Sequence, residues 1–157
     1  MSIPFPLPDS IFYSLRASHP REVFRQIAHE LETNCGLRAE PAIELLMASE
    51  AAGGSAIGDG VAVISCRAPT TLVLNRVCAF ARLVKPVAFK GVETHPCDLV
   101  YVLISPEDEA QKHLRDLSTI IRAFRDHDFT ARLRAETASE RLMNLFKARD
   151  GALRAAA

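Results

Sequence analysis

Residues 53–67, which read GGSAIGDGVAVISCR, constrain the possible folds of this chain more than any other stretch. Glycine recurs through its first half, and the step Asp59-Gly60 is a strong signal for a tight turn between two antiparallel strands. We therefore predict short strands over 55–57 and 61–65. The second strand ends in Ser65 and Cys66, two small side chains that can act as nucleophiles, so we expect them at a sheet edge or pocket.

Apolar residues at helical spacing predict helices on both sides of this hairpin. The first starts with Ser18 as its N-cap and closes at Gly36, whose missing side chain suits a left-handed C-cap. A second helix is predicted to begin at Glu40-Pro41. A long helix is predicted over about 107–125, with Ser105-Pro106-Glu107 as its cap. A short element over 129–135 and a last helix capped by Thr137 or Ser139 complete the predictions.

Further strands are predicted over 11–15 and 77–84, where Pro86 either ends the second strand or marks it as an edge strand, and over 87–89 as a separate short strand. The run DLVYVLIS, residues 98–105, is continuously apolar, which suits a strand at the centre of a sheet. Helices before, beside and after short strands predict an α/β fold. Its mixed parallel and antiparallel sheet would have about five strands, flanked by helices.

The chain has 157 residues, of which 48% are hydrophobic and 24% charged, so one domain with a real core is expected. We predict a single domain over 11–148, an extended proline-rich lead over 1–10 and a frayed tail over 149–157.

Composition excludes several classes of function. Lys plus Arg and Asp plus Glu both number 19, so no net positive charge attracts nucleic acid. No apolar run is long enough for membrane insertion, and the N-terminal residues do not resemble a secretory signal. The four cysteines are widely spaced, which predicts no metal site and a reducing cytoplasm. No cofactor motif is present.

Three segments resemble the type 2 enzyme IIA family of the sugar phosphotransferase system. The family writes the first as G-S-T-G-I-G-x-G-[IV]-A-[IV]-P-H, which matches residues 53–65. The helix before it, ELLMASEAAGG, is similar to L-L-x-R-E-x-x-G-S, and DLVYVLISPEDEAQKHL is similar to D-L-[IV]-[FV]-x-L-L-x-P followed by six residues and H-L. The resemblance spans about 9–147, and a lone domain without a transporter is most similar to the nitrogen-regulatory branch.

The resemblance also implies a set of site residues. The family's phosphate-accepting His corresponds to Ser65, and its preceding Pro to Ile64. The Arg that lies near the phosphate corresponds to Ser49, whereas the second family His is kept as His113. The family's Glu beside that Arg is kept as Glu50, and its glycines are kept as Gly53, Gly58 and Gly60. Together with Cys66, these residues would frame the pocket.

Three possible phosphate acceptors follow from these residues. Ser65 needs a base, which His113 would supply if the two are paired. Cys66 could form a phosphocysteine beside Arg67, but strand alternation predicts that it faces away from the pocket. His113 itself is the third. The other histidines have no partner pattern and are expected on the surface: His19, His29, His95 and His127.

The favoured hypothesis is a degenerate regulatory module that binds partner proteins in the cytoplasm without the phosphate signal. The alternative is an active phosphotransferase component that accepts phosphate from the phosphocarrier protein on Ser65, Cys66 or His113. A third hypothesis is a sensor whose emptied pocket, widened at Ser49 and Ser65, holds an anion or metabolite. Regulatory proteins, and possibly the phosphocarrier protein, are the expected partners, and a monomer or weak homodimer is the expected state.

Overall fold

The computed structural model describes residues 4–91 and 93–156, with side chains as far as Asp150. Its strands are β1 (Ser10–Leu15), β2 (Ala56–Gly58), β3 (Val61–Ala68), β4 (Val77–Lys90) and β5 (Thr94–Pro106). Its helices are α1 (Pro20–Cys35), α2 (Ala39–Ala52), α3 (Ala110–Phe124), α4 (His127–Ala135) and α5 (Ser139–Ala156).

Within this described part of the chain, five strands form one mixed sheet in the order β1-β4-β5-β3-β2. β1 pairs with β4 and β3 pairs with β5 in parallel, while β2–β3 and β4–β5 are antiparallel. β5 lies at the centre, and the residues from Leu99 to Pro106 are all buried. The predicted fold class, the 58–60 hairpin and the central position of DLVYVLIS are therefore confirmed.

The two faces of the sheet are covered by different helices. Ala62 and Ile64 of β3 pack with α1 and α2, whereas Val61 and Val63 pack with α3, α4 and α5. This alternation follows from the two-residue period of a strand. It decides the direction of every later side chain on β3, including those at the candidate site.

β4 is one strand of 14 residues, so the predicted end at Pro86 and the separate strand over 87–89 were wrong. The ladder to β5 shifts register between Arg82 and Val87. An irregularity of this kind removes the need for a backbone N–H at Pro86, which proline lacks. The strand therefore continues through the proline instead of stopping there.

Two predicted helix caps were also wrong. His19, with extended backbone, precedes α1 as its N-cap, and the N–H of Ser18 instead donates to Glu22 Oε2 at 3.4 Å. α3 begins only at Ala110, because β5 runs on to Pro106 and the N–H of Glu107 continues the ladder by donating to the Ala68 carbonyl at 2.8 Å.

Segments near the two ends of the chain, at Phe5 and Asp150, meet at the helical layer of α3, α4 and α5. Phe5, in the extended lead, is 2% exposed and contacts the rings of Tyr101 and Phe146. The Tyr101 hydroxyl donates to the Pro6 carbonyl, and the Phe5 N–H donates to Asp150 at 2.8 Å. The range predicted as a frayed tail, 149–157, is helical as far as Ala156, and its last residue lies outside the described residues.

Candidate functional site

Ser65 lies in the C-terminal half of β3, opposite Leu103 of β5. Its side chain belongs to the face that carries Val61 and Val63, so it points toward the α3 layer. The residue is partly exposed, and its hydroxyl has no hydrogen-bond partner among the described residues. At the position that the resemblance aligns with the family's phosphate-accepting His, the structure therefore has a serine hydroxyl with no hydrogen-bond partner among the described residues.

His113 lies in the first turns of α3 and is 8% exposed. Its Nδ1 is 2.7 Å from the hydroxyl oxygen of Ser105, the second-last residue of β5. Its Nε2 has no partner among the described residues and is not sealed from solvent. The predicted pair between His113 and Ser65 is thus replaced by a pair between His113 and Ser105, a residue that the sequence had suggested only as a helix cap.

The surroundings of His113 favour its neutral form. Burial lowers the pKa of the imidazole, the positive charge of Arg67 lowers it further, and Asp116 acts in the opposite direction. A neutral imidazole held through Nδ1 leaves Nε2 to act either as a lone-pair acceptor or as an N–H donor, depending on the direction of the bond to Ser105.

Arg67 is a site residue whose role the sequence reasoning missed. It follows Ser65 by two positions, so it shares the α3-facing side of β3, and its Cα is in register with that of Ser105. The guanidinium is exposed, makes one long contact of 3.4 Å to the Glu107 carbonyl and has no carboxylate partner among the described residues. Strand alternation alone would have separated Arg67 from Cys66 and assigned it to the Ser65 face.

Ser49 approaches Ser65 from the other layer. The Ser49 hydroxyl, on α2, donates to the backbone carbonyl of Ser65 at 2.9 Å. The two positions at which the resemblance implies a lost Arg and a lost His are therefore neighbours in this structure. Neither hydroxyl carries a charge that would balance a covalent phosphate.

Cys66 lies on the opposite side of β3 and packs against the layer of α1 and α2. Burial raises the pKa of its thiol to about 12, so the nucleophilic thiolate is scarce near neutral pH. The neighbouring cation does not offset this burial. The structure separates Cys66 from Ser65 and His113, as strand alternation predicts.

The remaining predicted frame residues form no side-chain hydrogen bond with Ser65 among the described residues. The Glu50 carboxylate accepts the N–H of Lys90, on β4, at 3.0 Å. Gly58 ends β2, and Gly60 lies in the turn that precedes β3, five residues before Ser65, or about 16 Å along an extended strand. They shape the hairpin at the far end of β3 rather than bordering the Ser65 hydroxyl.

One further ion pair stabilises the α3 side of the site. Asp116, one turn after His113, is buried, and its Oδ2 lies 3.0 Å from Arg76 Nη1. Asp116 is therefore the counter-charge of Arg76, while Arg67 forms no ion pair among the described residues. We call Ser65, Arg67, Ser105 and His113 together the Ser65 site.

Other predicted features can be located in the same described residues. His19, His29, His95 and His127 are all exposed, as expected from the sequence. In the ranges 4–91 and 93–156, no cluster of His, Cys, Asp and Glu side chains has a geometry suited to a metal ion. None of the helices in those ranges combines the length and apolar character needed to cross a bilayer.

An α/β sandwich on this five-stranded mixed sheet is the fold of phosphotransferase enzyme IIA domains, and comparison with known proteins agrees with that class. The family model described as phosphoenolpyruvate-dependent sugar phosphotransferase system, EIIA 2, matches residues 7–149. The chain therefore belongs to the type 2 enzyme IIA family.

Its relatives point to the nitrogen-regulatory branch. It is 31% identical over 129 residues to the nitrogen regulatory protein of Bradyrhizobium diazoefficiens, covering 82% of each chain. The crystal structure of the nitrogen regulatory protein IIA-Ntr from Neisseria meningitidis matches with a TM-score of 0.79 and 25% identity, over 90% of this chain and 95% of that one. The mannitol enzyme IIA of Escherichia coli, in complex with phosphorylated mannitol enzyme IIB, shares the fold with a TM-score of 0.69 and 20% identity, over 88% of this chain and 94% of that one.

Proposed function

We propose that this protein is a nitrogen-regulatory enzyme IIA protein that acts in the cytoplasm by binding regulatory partners and has lost the covalent phosphate signal. The observation that carries the proposal is the free hydroxyl of Ser65 at the family's acceptor position. A serine hydroxyl becomes a nucleophile only beside a base. The base that the resemblance suggests, His113, directs its Nδ1 to Ser105 instead.

The charge balance of the site supports the same conclusion. The residue at the position of the family's phosphate-neutralising Arg is Ser49, which donates to a backbone carbonyl and carries no charge. Cys66 offers no substitute, because it faces the other layer and burial raises its pKa to about 12. A chain without an acceptor would stay in the unphosphorylated form, and its partners would encounter that form alone.

Contact with other proteins is the activity that remains. The mannitol enzyme IIA that shares this fold is known in a complex with a second protein of its phosphotransfer chain. Here Leu114, the residue after His113, is 65% exposed, which leaves an apolar side chain beside the Ser65 site. We infer that regulatory proteins, and also the phosphocarrier protein, approach the chain at this end of β3, and that the chain is a monomer or weak homodimer between encounters.

Phosphoryl transfer to His113 is the second candidate function. The observation in its favour is an imidazole that is neutral near pH 7 and held through Nδ1 with Nε2 unpartnered. A neutral ring nitrogen is the form that can attack a phosphoryl group. Its burial, at 8% exposure, restricts the approach of a protein donor.

The test is phosphotransfer from phosphoenolpyruvate through enzyme I and the phosphocarrier protein, read by intact mass. We expect no gain of phosphate in the natural chain. The double substitution Ser49→Arg with Ser65→His restores both lost groups on an intact fold and should gain one phosphate. A gain in the natural chain that disappears in His113→Gln would establish the second candidate, and a gain that disappears in Ser65→Ala would overturn both accounts.

A further inference from the structure

Apolar side chains form an uncovered stripe along α3. Leu114, Leu117 and Ile121 recur at helical spacing, and Leu114 is 65% exposed while the other two are partly buried. They border an open groove of about 490 Å³ whose lining residues all belong to α3, and we call these residues the α3 face: Leu114, Leu117, Ser118, Ile121, Arg122 and Arg125. A contiguous apolar surface with a polar rim is typical of a protein contact.

The C-terminal end of the α3 face is basic. Arg122 and Arg125 are both exposed, and neither forms an ion pair among the described residues. No carboxylate is among the residues that line the groove. Two guanidinium groups at the rim of an apolar surface therefore await a negative partner.

The N-terminal end of the same helix is acidic. Glu107 and Asp108 precede α3, are exposed, and form no ion pair among the described residues. Arg67 contacts only the backbone carbonyl of Glu107, at 3.4 Å, and Glu109 is offset by Lys112 at 3.8 Å. This end thus carries two carboxylates against one guanidinium.

This order of charges makes the surface complementary to a second copy of itself. It also suits the macrodipole of α3, but the macrodipole does not account for the apolar stripe between the charged ends. A two-fold axis near Leu117 would align two α3 helices antiparallel, each about 22 Å long. Arg125 of one copy would then lie opposite Asp108 of the other, and Leu114 opposite Ile121. A parallel alignment would instead oppose arginine to arginine.

We propose that the α3 face is the contact surface of a symmetric homodimer in which the α3 helices of two copies pack antiparallel. The apolar stripe supplies the buried centre, and the charged ends fix the direction. The chain has no net charge, so nothing repels the copies as a whole. Because the contact is confined to one helix of each copy, the dimer is weak, with a Kd of about 0.1 mM.

Dimerisation also affects the contact with other proteins. The dimer covers Leu114, the apolar side chain that the proposed function leaves open to regulatory partners, and only this consequence rests on that function. A partner that docks at Leu114 has to displace the second copy. Its apparent affinity should therefore fall as the concentration of this protein rises.

Sedimentation equilibrium over about 10 μM to 1 mM, a range that brackets the expected Kd, tests the proposal. The natural chain should change from monomer to dimer across it. Leu114→Lys should weaken the dimer by about tenfold or more, because both copies lose an apolar contact and gain a charge near Arg122 of the other copy. Leu74→Lys is the matched control, since Leu74 is 77% exposed between β3 and β4, and it should have no effect.

A charge exchange tests the antiparallel alignment. Arg125→Glu and Asp108→Arg should each weaken the dimer by about fivefold, because each brings like charges together at both ends of the contact. The double variant restores opposite charges and should regain the natural affinity. Arg25→Glu alters an exposed arginine on α1 by the same charge and should leave the dimer unchanged.

Four results would overturn the proposal. They are a natural chain that stays monomeric to about 1 mM, a dimer that Leu114→Lys leaves intact, equal losses in Leu114→Lys and Leu74→Lys, and a double variant as weak as its parents. The first would leave the α3 face to an acidic helix of a foreign protein. Circular dichroism checks that each variant is folded. Because these measurements involve no phosphotransfer, the proposed function is judged separately by its own assay.

Discussion

The two ends of β3 differ in how completely their polar groups are used. At the N-terminal end, the carboxylate of Asp98 accepts three hydrogen bonds from Arg134, at 2.8, 2.9 and 3.2 Å, and Arg134 also donates to the Asp59 carbonyl at 2.6 Å. At the C-terminal end, neither the Ser65 hydroxyl nor the Arg67 guanidinium bonds a carboxylate among the described residues. The closed end fixes the strand, and the open end is the one available for binding.

This contrast separates the residues that hold the hairpin from the positions at which the resemblance implies a substitution. The turn glycines survive at the closed end, where the backbone takes φ values of 111° at Gly58 and 76° at Gly60. The substitutions implied by the resemblance, Ser49 and Ser65, lie together at the open end. We expect a change there to cost little stability, so that the proposed loss of the acceptor would leave the fold intact.

The largest expected effect is at the closed end. Gly60→Ala would place a Cβ 2.8 Å from Arg134 Nη2 and 3.0 Å from Asp98 Oδ1, at a positive φ. We expect it to lower the free energy of unfolding by about 2 kcal/mol, measured by urea denaturation. Gly53→Ala is the control, because its φ of 90° is also positive but nothing lies within 4 Å of the added atom. Equal losses would show that the close approach of Arg134 is unimportant.

Removing the ion pair itself should have a smaller effect. Asp98→Asn keeps the shape of the side chain but removes the charge that Arg134 binds, and we expect a loss of about 1 kcal/mol for this partly exposed pair. The exposed pair of Asp128 and Arg132, at 3.3 Å, provides the comparison. Asp128→Asn should change stability by less, and a larger loss there would contradict the assignment of the closed end to Arg134.

His113 should make stability depend on pH. Its pKa in the folded chain lies below the ordinary 6.5, so the unfolded chain takes up the proton first as the pH falls. The free energy of unfolding should therefore decrease as the pH is lowered from about 6.5 through the folded pKa, and His113→Gln should remove this part of the dependence. An NMR titration gives the folded pKa directly, and Arg67→Gln should raise it. A folded pKa above 6.5 would contradict the structure.

The smallest effect is expected at the open end. Ser65→Ala removes a hydroxyl with no partner among the described residues. The free energy of unfolding, measured by thermal denaturation, should therefore change by less than about 0.5 kcal/mol. Ser105→Ala is the matched comparison, because it removes a buried hydroxyl that contacts His113 at 2.7 Å. It should lower the free energy of unfolding by more than Ser65→Ala does. The reverse order would mean that Ser65 is part of the structural framework.

Local patterns were enough to predict most of the fold. The Asp59-Gly60 turn, the central strand and the alternation that turns Cys66 away from Ser65 all follow from neighbouring residues. The continuation of β4 through Pro86 did not, since it depends on an irregular register with β5. Sequence alone can place a proline in a strand only when the partner strand is known.

The candidate site was predicted less completely for a similar reason. Family resemblance supplied Ser65, Ser49 and His113, but the partner of His113 is set by where β5 ends and α3 begins. Because β5 extends to Pro106, Ser105 contacts the imidazole instead of capping the helix. The role of Arg67 depends equally on the β3–β5 register, which no single segment of the sequence contains.

Intact mass of the natural chain after incubation with phosphoenolpyruvate, enzyme I and the phosphocarrier protein tests the central claim most directly. A nitrogen regulatory protein that keeps the family's His should be included in the same tube as a positive control. The account predicts that the control gains one phosphate and that this chain gains none. A stoichiometric phosphate on this chain would contradict it and would show that the Ser65 end of β3 still carries out phosphoryl transfer.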